Sequence, residues 1–169
     1  SIGNSTYEAR GSLAAKEMID LGLFPGARMV VTPHYMASLG SHGDHSQYLR
    51  TNPDLAEAFS EMTPTIGTGV EFFRNAVRNE IKMGADFIKI MINGGFSTPN
   101  DTPDDQQLCD EEIEVIIKTA HELGRTVTAH IYNSEQMKKV ALMGIDGMEH
   151  GSLITEDTAR VMEELGTYL

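Results

Sequence analysis

The sequence predicts an α/β fold in which parallel strands alternate with helices. Amphipathic segments with a period of about 3.6 residues alternate with short apolar runs along the chain. Most of the amphipathic segments end at a glycine, the residue that most often closes a helix. Such alternation is typical of strand–helix units joined by right-handed crossovers, and a length of 169 residues favours a single domain.

The amino-terminal part of the chain predicts one helix, one strand and a long connection. The helix covers residues 14–21 and ends at Gly22, and the strand covers residues 28–32. From residue 33 to about residue 69 the chain is polar and rich in glycine and histidine, with one short helix predicted after Pro53. A connection of this length in a compact domain is usually functional or forms a lid.

The rest of the chain predicts helices and strands in strict alternation. Apolar residues from Val70 to Ile81 fall on one face of the first of these helices. The predicted helices cover residues 70–83, 110–123, 134–143 and 155–165, the last two capped by Ser134 and Thr155. The predicted strands cover residues 87–91, 126–131 and 147–151, and residues 167–169 open another strand.

The composition excludes several classes of function. The formal net charge of −12 argues against binding to nucleic acid or to an anionic membrane surface, because their phosphates would be repelled. Cys109 is the single cysteine, which excludes an internal disulfide and a cysteine-based zinc cluster. No apolar stretch approaches the roughly 20 residues of a membrane-spanning helix and no signal peptide is visible, so a cytoplasmic location is expected.

Lys89 is the most informative residue because it stands in the centre of the apolar strand 87–91. Burying an unpaired ammonium is unfavourable or lowers its pKa, so a lysine in this position indicates that its amine is used for chemistry. His130 and His150 occupy similar settings in the next two strands. The three residues together predict a site.

Alternation along the strands predicts that these three side chains point the same way. The same alternation places Tyr132 on the face of His130 and Met148 on the face of His150. In a parallel barrel this set of side chains would face the axis. Because the residues lie near the carboxyl ends of successive strands, they would stand where such barrels place their active sites.

Several short segments carry a resemblance when they are taken in order and spacing. They are 26–28 (GAR), 40–44 (GSHGD), 84–91 (GADFIKIM), 94–95 (GG), 120–124 (AHELG), 128–130 (TAH) and 144–151 (GIDGMEHG). Together they resemble the amidohydrolase superfamily, and within it the imidazolonepropionase- and prolidase-like metal-dependent hydrolases. The first two segments each differ from the usual family pattern by one residue, and the resemblance covers nearly the whole chain.

The resemblance implies a TIM-like (β/α)8 barrel with one or two divalent metal ions, zinc or similar, two being expected in the intact protein. By resemblance, Lys89 carries a carbamate that bridges the metals, and His130 and His150 bind the second one. The metal would activate a water and polarise the substrate carbonyl. His42 would hydrogen-bond that carbonyl or its oxyanion, and Tyr132 would reach a substrate carboxylate. The implied activity is hydrolysis of amide or peptide bonds in small substrates, as in a dipeptidase, prolidase or carboxypeptidase.

The chain departs from the family pattern in two ways. No two histidines stand two positions apart, so the His-x-His pair of the first barrel strand is absent. The aspartate of the eighth strand, which takes the proton from the water, would lie beyond Leu169. Residues 1–169 are therefore expected to be the central part of a barrel, from about strand three to the start of strand seven, and inactive in isolation. We expect the chain to need the rest of its barrel or to form a homo-oligomer.

Two other interpretations remain open. A strand-centre lysine with a lowered pKa also activates carbonyls in Schiff-base aldolases and lyases. Alternatively, the chain is an inactive barrel fragment that serves for binding or assembly, since a partial barrel has two open sheet edges. His42 lies in a polar loop, where a solvated histidine is about as expected as a functional one.

Overall fold

The structure, a computed structural model, is a parallel sheet alternating with helices, and it describes residues 9–49, 51–52, 54–55, 57 and 63–169. The strands are β1 (Tyr35–Ser38), β2 (Ile66–Gly67), β3 (Phe87–Met91), β4 (Thr126–Ile131) and β5 (Gly147–His150). The helices are α1 (Ala9–Asp20), α2 (Val70–Lys82), α3 (Asp110–Glu122), α4 (Ser134–Leu142) and α5 (Glu156–Leu165), with a 3₁₀ turn at His45–Leu49. These strands form a sheet in the order β2-β1-β3-β4-β5, and all its neighbours are parallel.

The elements predicted from residue 70 onward are confirmed, with boundaries that differ by no more than about one residue. The apolar face of α2 lies in the core, where Phe73 and Val77 are fully buried. The strand predicted to open at residues 167–169 is confirmed by a parallel bridge between Tyr168 and Gly147. The alternation of periods in the sequence therefore identifies the elements of this part of the chain.

The strand predicted at residues 28–32 is wrong, because the strand of this region is β1, which begins after Pro33. Proline has no N–H to donate to a ladder, so the regular pairing starts beyond it. Val31 instead pairs with the acid that precedes β3. Its N–H donates to the Asp86 carboxylate at 2.8 Å, and its carbonyl accepts from the Asp86 N–H at 2.8 Å. The long connection predicted at residues 33–69 accordingly contains both β1 and β2.

Two further helix predictions concern the first half of the chain. The helix predicted at residues 14–21 lies within α1 apart from its last residue, and α1 starts earlier, at Ala9. The short helix predicted after Pro53 falls largely outside the described residues, of which Asp54, Leu55 and Glu57 are helical. Among the helices of the described residues, none has the length and apolar character needed to span a bilayer.

The N-terminal cap of α4 is Asn133 rather than the predicted Ser134. The Asn133 side chain accepts from the N–H of Gln136 at 3.1 Å. The Ser134 hydroxyl is used elsewhere, because it accepts from the Thr155 N–H at 2.9 Å and lies 2.9 Å from the hydroxyl of Thr158. The predicted cap of α5 is confirmed, since Thr155 accepts from the Thr158 N–H. These contacts tie the starts of α4 and α5 together beyond the carboxyl ends of β4 and β5.

The hydrophobic core lies on the face of the sheet that the helices cover. Its largest fully buried aliphatic side chains come from β3, β4, α3 and the segments beside them: Ile88, Ile90, Ile92, Leu108, Ile113, Ile116 and Ile131. Burial of one such side chain contributes roughly 1.5–3 kcal/mol. This packing fixes one face of each strand, so the alternate residues, Lys89 and His130 among them, must point to the other face.

Acidic side chains join neighbouring segments of the chain at the amino ends of the sheet. Asp86, just before β3, accepts from the Val31 N–H and from the Lys16 ammonium at 2.7 Å. Asp146, just before β5, accepts from the N–H of Val127 in β4 at 2.7 Å. In both cases a carboxylate accepts the hydrogen bond from a backbone N–H that a strand carbonyl would otherwise accept. The segments around Asp86 and Asp146 nevertheless share no obvious sequence repeat.

A buried pair of Glu80 and His34 lies at the same end of the sheet. One carboxylate oxygen of Glu80 accepts from the His34 N–H at 2.8 Å, and the other lies 2.8 Å from the ring Nδ1. The side chains of His34 and Glu80 are only 8% and 1% exposed. This pair joins α2 to the residue that precedes β1.

Candidate active site

The carboxyl ends of β3, β4 and β5 bring together the residues that the sequence singles out. The His130 ring lies 4.7 Å from the His150 ring and 4.9 Å from the Tyr132 ring, measured between centroids. The His42 ring stacks on the His130 ring, with a centroid distance of 4.8 Å. Lys89 is buried, with 3% of its surface exposed, and its charge acts on both His130 and His150. All five candidates therefore belong to one cluster.

Lys89 forms a buried ion pair with Glu149. Burial lowers the pKa of the Lys89 amine, and the hydrogen bond and charge of Glu149 oppose this effect without cancelling it. The second carboxylate oxygen of Glu149, Oε1, is buried and has no hydrogen-bond partner among the described residues. An acceptor left unsatisfied in this way is unfavourable in a site that serves only for packing.

Sequence reasoning missed Glu149 because it assumed regular alternation to the end of β5. In the sheet, Glu149 pairs with His130 and Met148 pairs with Ala129, so Met148 lies in the core on the helix side. The prediction that Met148 shares the inward face with His150 is therefore wrong. His150 reaches the site because its backbone adopts a left-handed φ of 73°. For a residue other than glycine this conformation costs roughly 1–2 kcal/mol.

The two strand-end histidines are neutral imidazoles at neutral pH. Burial, with the charges of His42 and His150, lowers the pKa of His130 to about 3. Burial and then the charge of Lys89 lower the pKa of His150 as well. A neutral imidazole offers a lone pair, which is the form that binds a metal ion.

The loop after β3 is held against β4 and α4 by Asn93. Its side-chain oxygen accepts from the N–H groups of Tyr132 and Asn133 at 2.9 Å and 3.3 Å, and its amide donates to Gln136. Asn93 is completely buried. This anchor sets the position of the residues that follow it, residues 94–101, over the rings of the cluster.

His42 is placed by a second set of contacts, between the loop after β1 and the loop after β3. Its N–H donates to the Gln107 side chain at 2.9 Å, and its ring Nδ1 lies 2.5 Å from the Thr98 hydroxyl. A Cβ added to Gly95 would stand 2.1 Å from His42 Cε1, so the ring occupies the space that the glycine leaves open. Sequence reasoning missed Thr98 and Asp101, because their place in the loop after a predicted site strand marks them only as general candidates and does not specify their contacts with His42.

The donor set determines whether the residues of this cluster fit a divalent metal. Within the described part of the chain, no three His, Cys, Asp or Glu side chains are grouped to hold an ion. Lys89, His130 and His150 fit one side of a metal site if the Lys89 amine carries a carboxylate, since two neutral imidazoles and an anionic oxygen are ligands that zinc accepts. The assignment of these three residues as ligands stays a prediction.

A sequence model of the amidohydrolase family matches residues 5–169 of the chain. Among curated proteins, ochratoxinase of Aspergillus niger is 36% identical over 101 residues, which are 60% of this chain and 21% of that protein. The chain thus spans about a fifth of the length of this relative.

Solved structures give the same picture of the fold. A Xaa-Pro dipeptidase with bound methionine matches 99% of this chain and 40% of its own, with a TM-score of 0.78 and 26% identity. A prolidase complexed with N-methylphosphonate-L-proline matches 91% of this chain and 38% of its own, with a TM-score of 0.77 and 29% identity. The predicted fold class, a portion of a TIM-like barrel, is confirmed by this likeness.

Proposed function

The chain belongs to the amidohydrolase family, and we propose that it forms the central part of a barrel that hydrolyses amide or peptide bonds with a metal-activated water. The observation that carries this proposal is the position of Lys89 in the centre of β3, with His130 and His150 at the carboxyl ends of the next two strands. A buried amine of lowered pKa beside two neutral imidazoles has no evident use in packing, whereas it suits metal-dependent hydrolysis.

A bound divalent ion such as zinc would supply Lewis-acid polarisation of the scissile carbonyl and activation of a water. Lys89, once carboxylated by CO2, would offer anionic oxygens, and two such ions are proposed for the intact protein. His130 and His150 would offer imidazole nitrogens. His42, which stacks on His130, would hydrogen-bond the substrate carbonyl or its oxyanion.

The proposed substrate is a small peptide or amide with a free carboxylate. Two similar structures are described as a Xaa-Pro dipeptidase and a prolidase, which supports this class. Tyr132 packs edge-on against Phe96, a residue that is 69% exposed, with ring centroids 4.8 Å apart. Tyr132 would contact the carboxylate, and the exposed Phe96 ring would meet an apolar part of the substrate.

We further propose that residues 1–169 need the remaining strands of the barrel, or a second copy, to complete the site. The formal charge of −12 argues against nucleic acid and anionic membranes as partners of the chain. We also propose a cytoplasmic location. The matching share of the solved chains, about two fifths, supports the proposal that residues 1–169 are one segment of a larger barrel.

The test is metal content and activity of the intact protein that contains this chain. Lys89→Ala should lose bound metal and lower kcat/KM toward a dipeptide by at least about 10³-fold, since several kcal/mol of carbonyl activation disappear. Lys89→Arg keeps a cation for Glu149 but has no amine that CO2 can carboxylate, so it should fold and still be inactive. Lys118→Ala, an exposed lysine of α3, is the control.

Two outcomes would contradict the proposal. Unchanged metal content and activity in Lys89→Ala would refute it. Borohydride trapping of a keto acid on Lys89 would instead favour Schiff-base chemistry, the second candidate that the lowered pKa of this amine supports.

A further inference from the structure

Phe96, in the loop after β3, is a largely exposed aromatic residue at the edge of the cluster. Its exposed fraction is 69%, and its ring packs edge-on against Tyr132, with an angle of 70° between the two ring planes. A single exposed apolar side chain is common on protein surfaces and by itself indicates no function. Phe96 differs from such a residue because the ring that it contacts belongs to the candidate active site.

Hydrogen bonds hold the backbone of this loop on both sides of Phe96. Before it, the Gly95 N–H donates to the Asp101 carboxylate at 2.9 Å. After it, the Thr98 hydroxyl donates to the same carboxylate at 2.6 Å. The loop begins at the completely buried Asn93. The Phe96 ring is therefore presented by a backbone that is already ordered, so a ligand that covers the ring does not have to order the loop first.

Three rings of the described part of the chain contact the Tyr132 ring, and Phe96 is the apolar one. The His150 ring stacks on Tyr132 with a centroid distance of 5.1 Å, and the His130 ring meets it edge-on at 4.9 Å. Both imidazoles are proposed metal ligands. The exposed surface of Phe96 is therefore the apolar surface beside Tyr132 that a bound molecule can cover.

The contact between Phe96 and Tyr132 indicates which part of a substrate lies closest to Phe96. In the proposed function, Tyr132 contacts the substrate carboxylate. The side chain of the residue that bears this carboxylate is bonded to the same Cα, so it must lie near Tyr132 as well. The residue on the other side of the scissile bond is separated from the carboxylate by the amide group and lies farther away. The carboxyl-terminal side chain is therefore the one that Phe96 would contact.

We propose that Phe96 is a specificity-determining residue that contacts the side chain of the carboxyl-terminal residue of the substrate, and that the intact enzyme prefers a large apolar side chain, aromatic or branched aliphatic, at this position. The proposal rests on the proposed function of the same site. Contact between Phe96 and an apolar side chain removes apolar surface of both groups from water, and an aromatic side chain gains ring packing in addition. Glycine, alanine or a charged residue at this position gains little from the contact.

The test compares dipeptides that differ only in the carboxyl-terminal residue, with the intact protein that contains this chain. The wild type should show a kcat/KM for Ala-Phe and Ala-Leu at least about 10-fold higher than for Ala-Ala, the size typical of an apolar contact. Phe96→Ala should bring this ratio close to 1, mainly through KM, because the lost contact is made in the bound substrate as well as in the transition state. Phe-Ala, with its apolar residue on the other side of the bond, should show no such dependence on Phe96.

Two further variants serve as controls for the loss of an aromatic ring. Phe96→Leu keeps an apolar side chain and should keep most of the preference. Phe24→Ala removes a phenylalanine of similar exposure, 58%, in the turn after α1, and should leave the ratio of kcat/KM values as in the wild type. Thermal unfolding of each variant shows whether the protein is folded.

Binding of free amino acids gives a readout that does not depend on hydrolysis. In calorimetric titrations, the intact wild-type protein should bind L-phenylalanine at least about 10-fold more tightly than L-alanine. Phe96→Ala should lose this difference, and Phe24→Ala should keep it.

The outcomes separate this proposal from the proposed function. Hydrolysis without a preference for an apolar carboxyl-terminal residue, or a preference that Phe96→Ala leaves unchanged, overturns the role of Phe96 and leaves the proposed function in place. An equal loss of activity on all substrates together with lower stability also overturns it, since the ring would then pack against the rest of the barrel. A protein without hydrolase activity that still binds L-phenylalanine through Phe96 refutes the proposed function and supports the contact.

Discussion

The two ends of the sheet contain similar polar side chains but use them differently. At the amino ends, the acids Glu80, Asp86 and Asp146 all accept hydrogen bonds from backbone N–H groups of neighbouring elements. At the carboxyl ends, Glu149 keeps one buried oxygen without a partner in the described residues, and His150 adopts a left-handed backbone. Satisfied polar groups hold the strands together at one end, while groups left unsatisfied or strained collect at the end proposed for chemistry.

This contrast indicates which buried charged groups stabilise the fold and which are available for function. Both ends bury a carboxylate beside a basic side chain, as in Glu80 with His34 and Glu149 with Lys89. Burial alone therefore does not distinguish them. The two carboxylates are distinguished by whether their oxygens have hydrogen-bond partners. An acceptor without a partner is unfavourable for folding and remains available to a ligand.

The largest effect on stability is expected at the amino end, from Glu80→Ala. It leaves the His34 ring and N–H buried without an acceptor, so the free energy of unfolding should fall by about 3–5 kcal/mol. Chemical denaturation measures this, with Glu71→Ala on the exposed side of α2 as the control. A Glu80→Ala protein of normal stability but altered metal content would contradict the assignment of the amino end to stability and of the carboxyl end to function.

A smaller effect, on activity rather than stability, is expected from Gly95→Ala. The added Cβ would stand 2.1 Å from His42 Cε1, so the ring must move by an ångström or so and kcat/KM should fall by about 10²-fold. Gly11→Ala, where a Cβ meets nothing within 4 Å, is the matched control and should stabilise α1 by roughly 0.5–1 kcal/mol. Equal activity of the two variants would show that the position of His42 does not matter.

The smallest effect is expected from the pH dependence of stability at Asp86. Burial acts to raise the pKa of this carboxyl, but the hydrogen bonds from Lys16 and Val31 outweigh it and hold the pKa below 3.8. A lowered folded-state pKa stabilises the fold above the unfolded value, and this contribution is lost as the pH falls through the folded value. Asp86→Asn should remove about 1 kcal/mol at pH 7 and flatten the acid limb of the stability curve.

The control for this pH effect is Asp157→Asn, which removes a surface ion pair with Lys138. It should leave both the stability at pH 7 and the acid limb without measurable change. An Asp86→Asn protein with the acid limb of the wild type would show that the amino-end acids do not stabilise the fold through their charge.

Local pattern was sufficient to predict the second half of the fold, because each strand and helix there has its own period and closing residue. Local pattern did not predict the strand of residues 28–38 correctly, because the runs before and after Pro33 are both apolar. Only pairing with β3 decides which of the two runs forms the strand. The two-residue strand β2 is too short to carry a period at all. Its place beside β1 depends on contacts distant in sequence.

The candidate site was predictable to the extent that alternation holds. Lys89 and His130 follow it, and both lie where the sequence places them. The position of Glu149 in the site was not predicted, because His150 interrupts the alternation with its φ of 73°. A single sequence does not reveal this change. Thr98 contacts a ring 56 positions away, and no local pattern encodes such a contact.

The acids before β3 and β5 also bear on the order in which the sheet can assemble. The Asp146 carboxylate reaches Val127 across 19 positions, whereas the Asp86 carboxylate reaches Val31 across 55. Loop-closure entropy grows as (3/2)RT ln n, so the shorter loop closes at a cost about 1 kcal/mol lower. In an unfolded chain the unit β4–α4–β5 is therefore the easier one to close, and it provides the edge against which β3, and after it β1, can add.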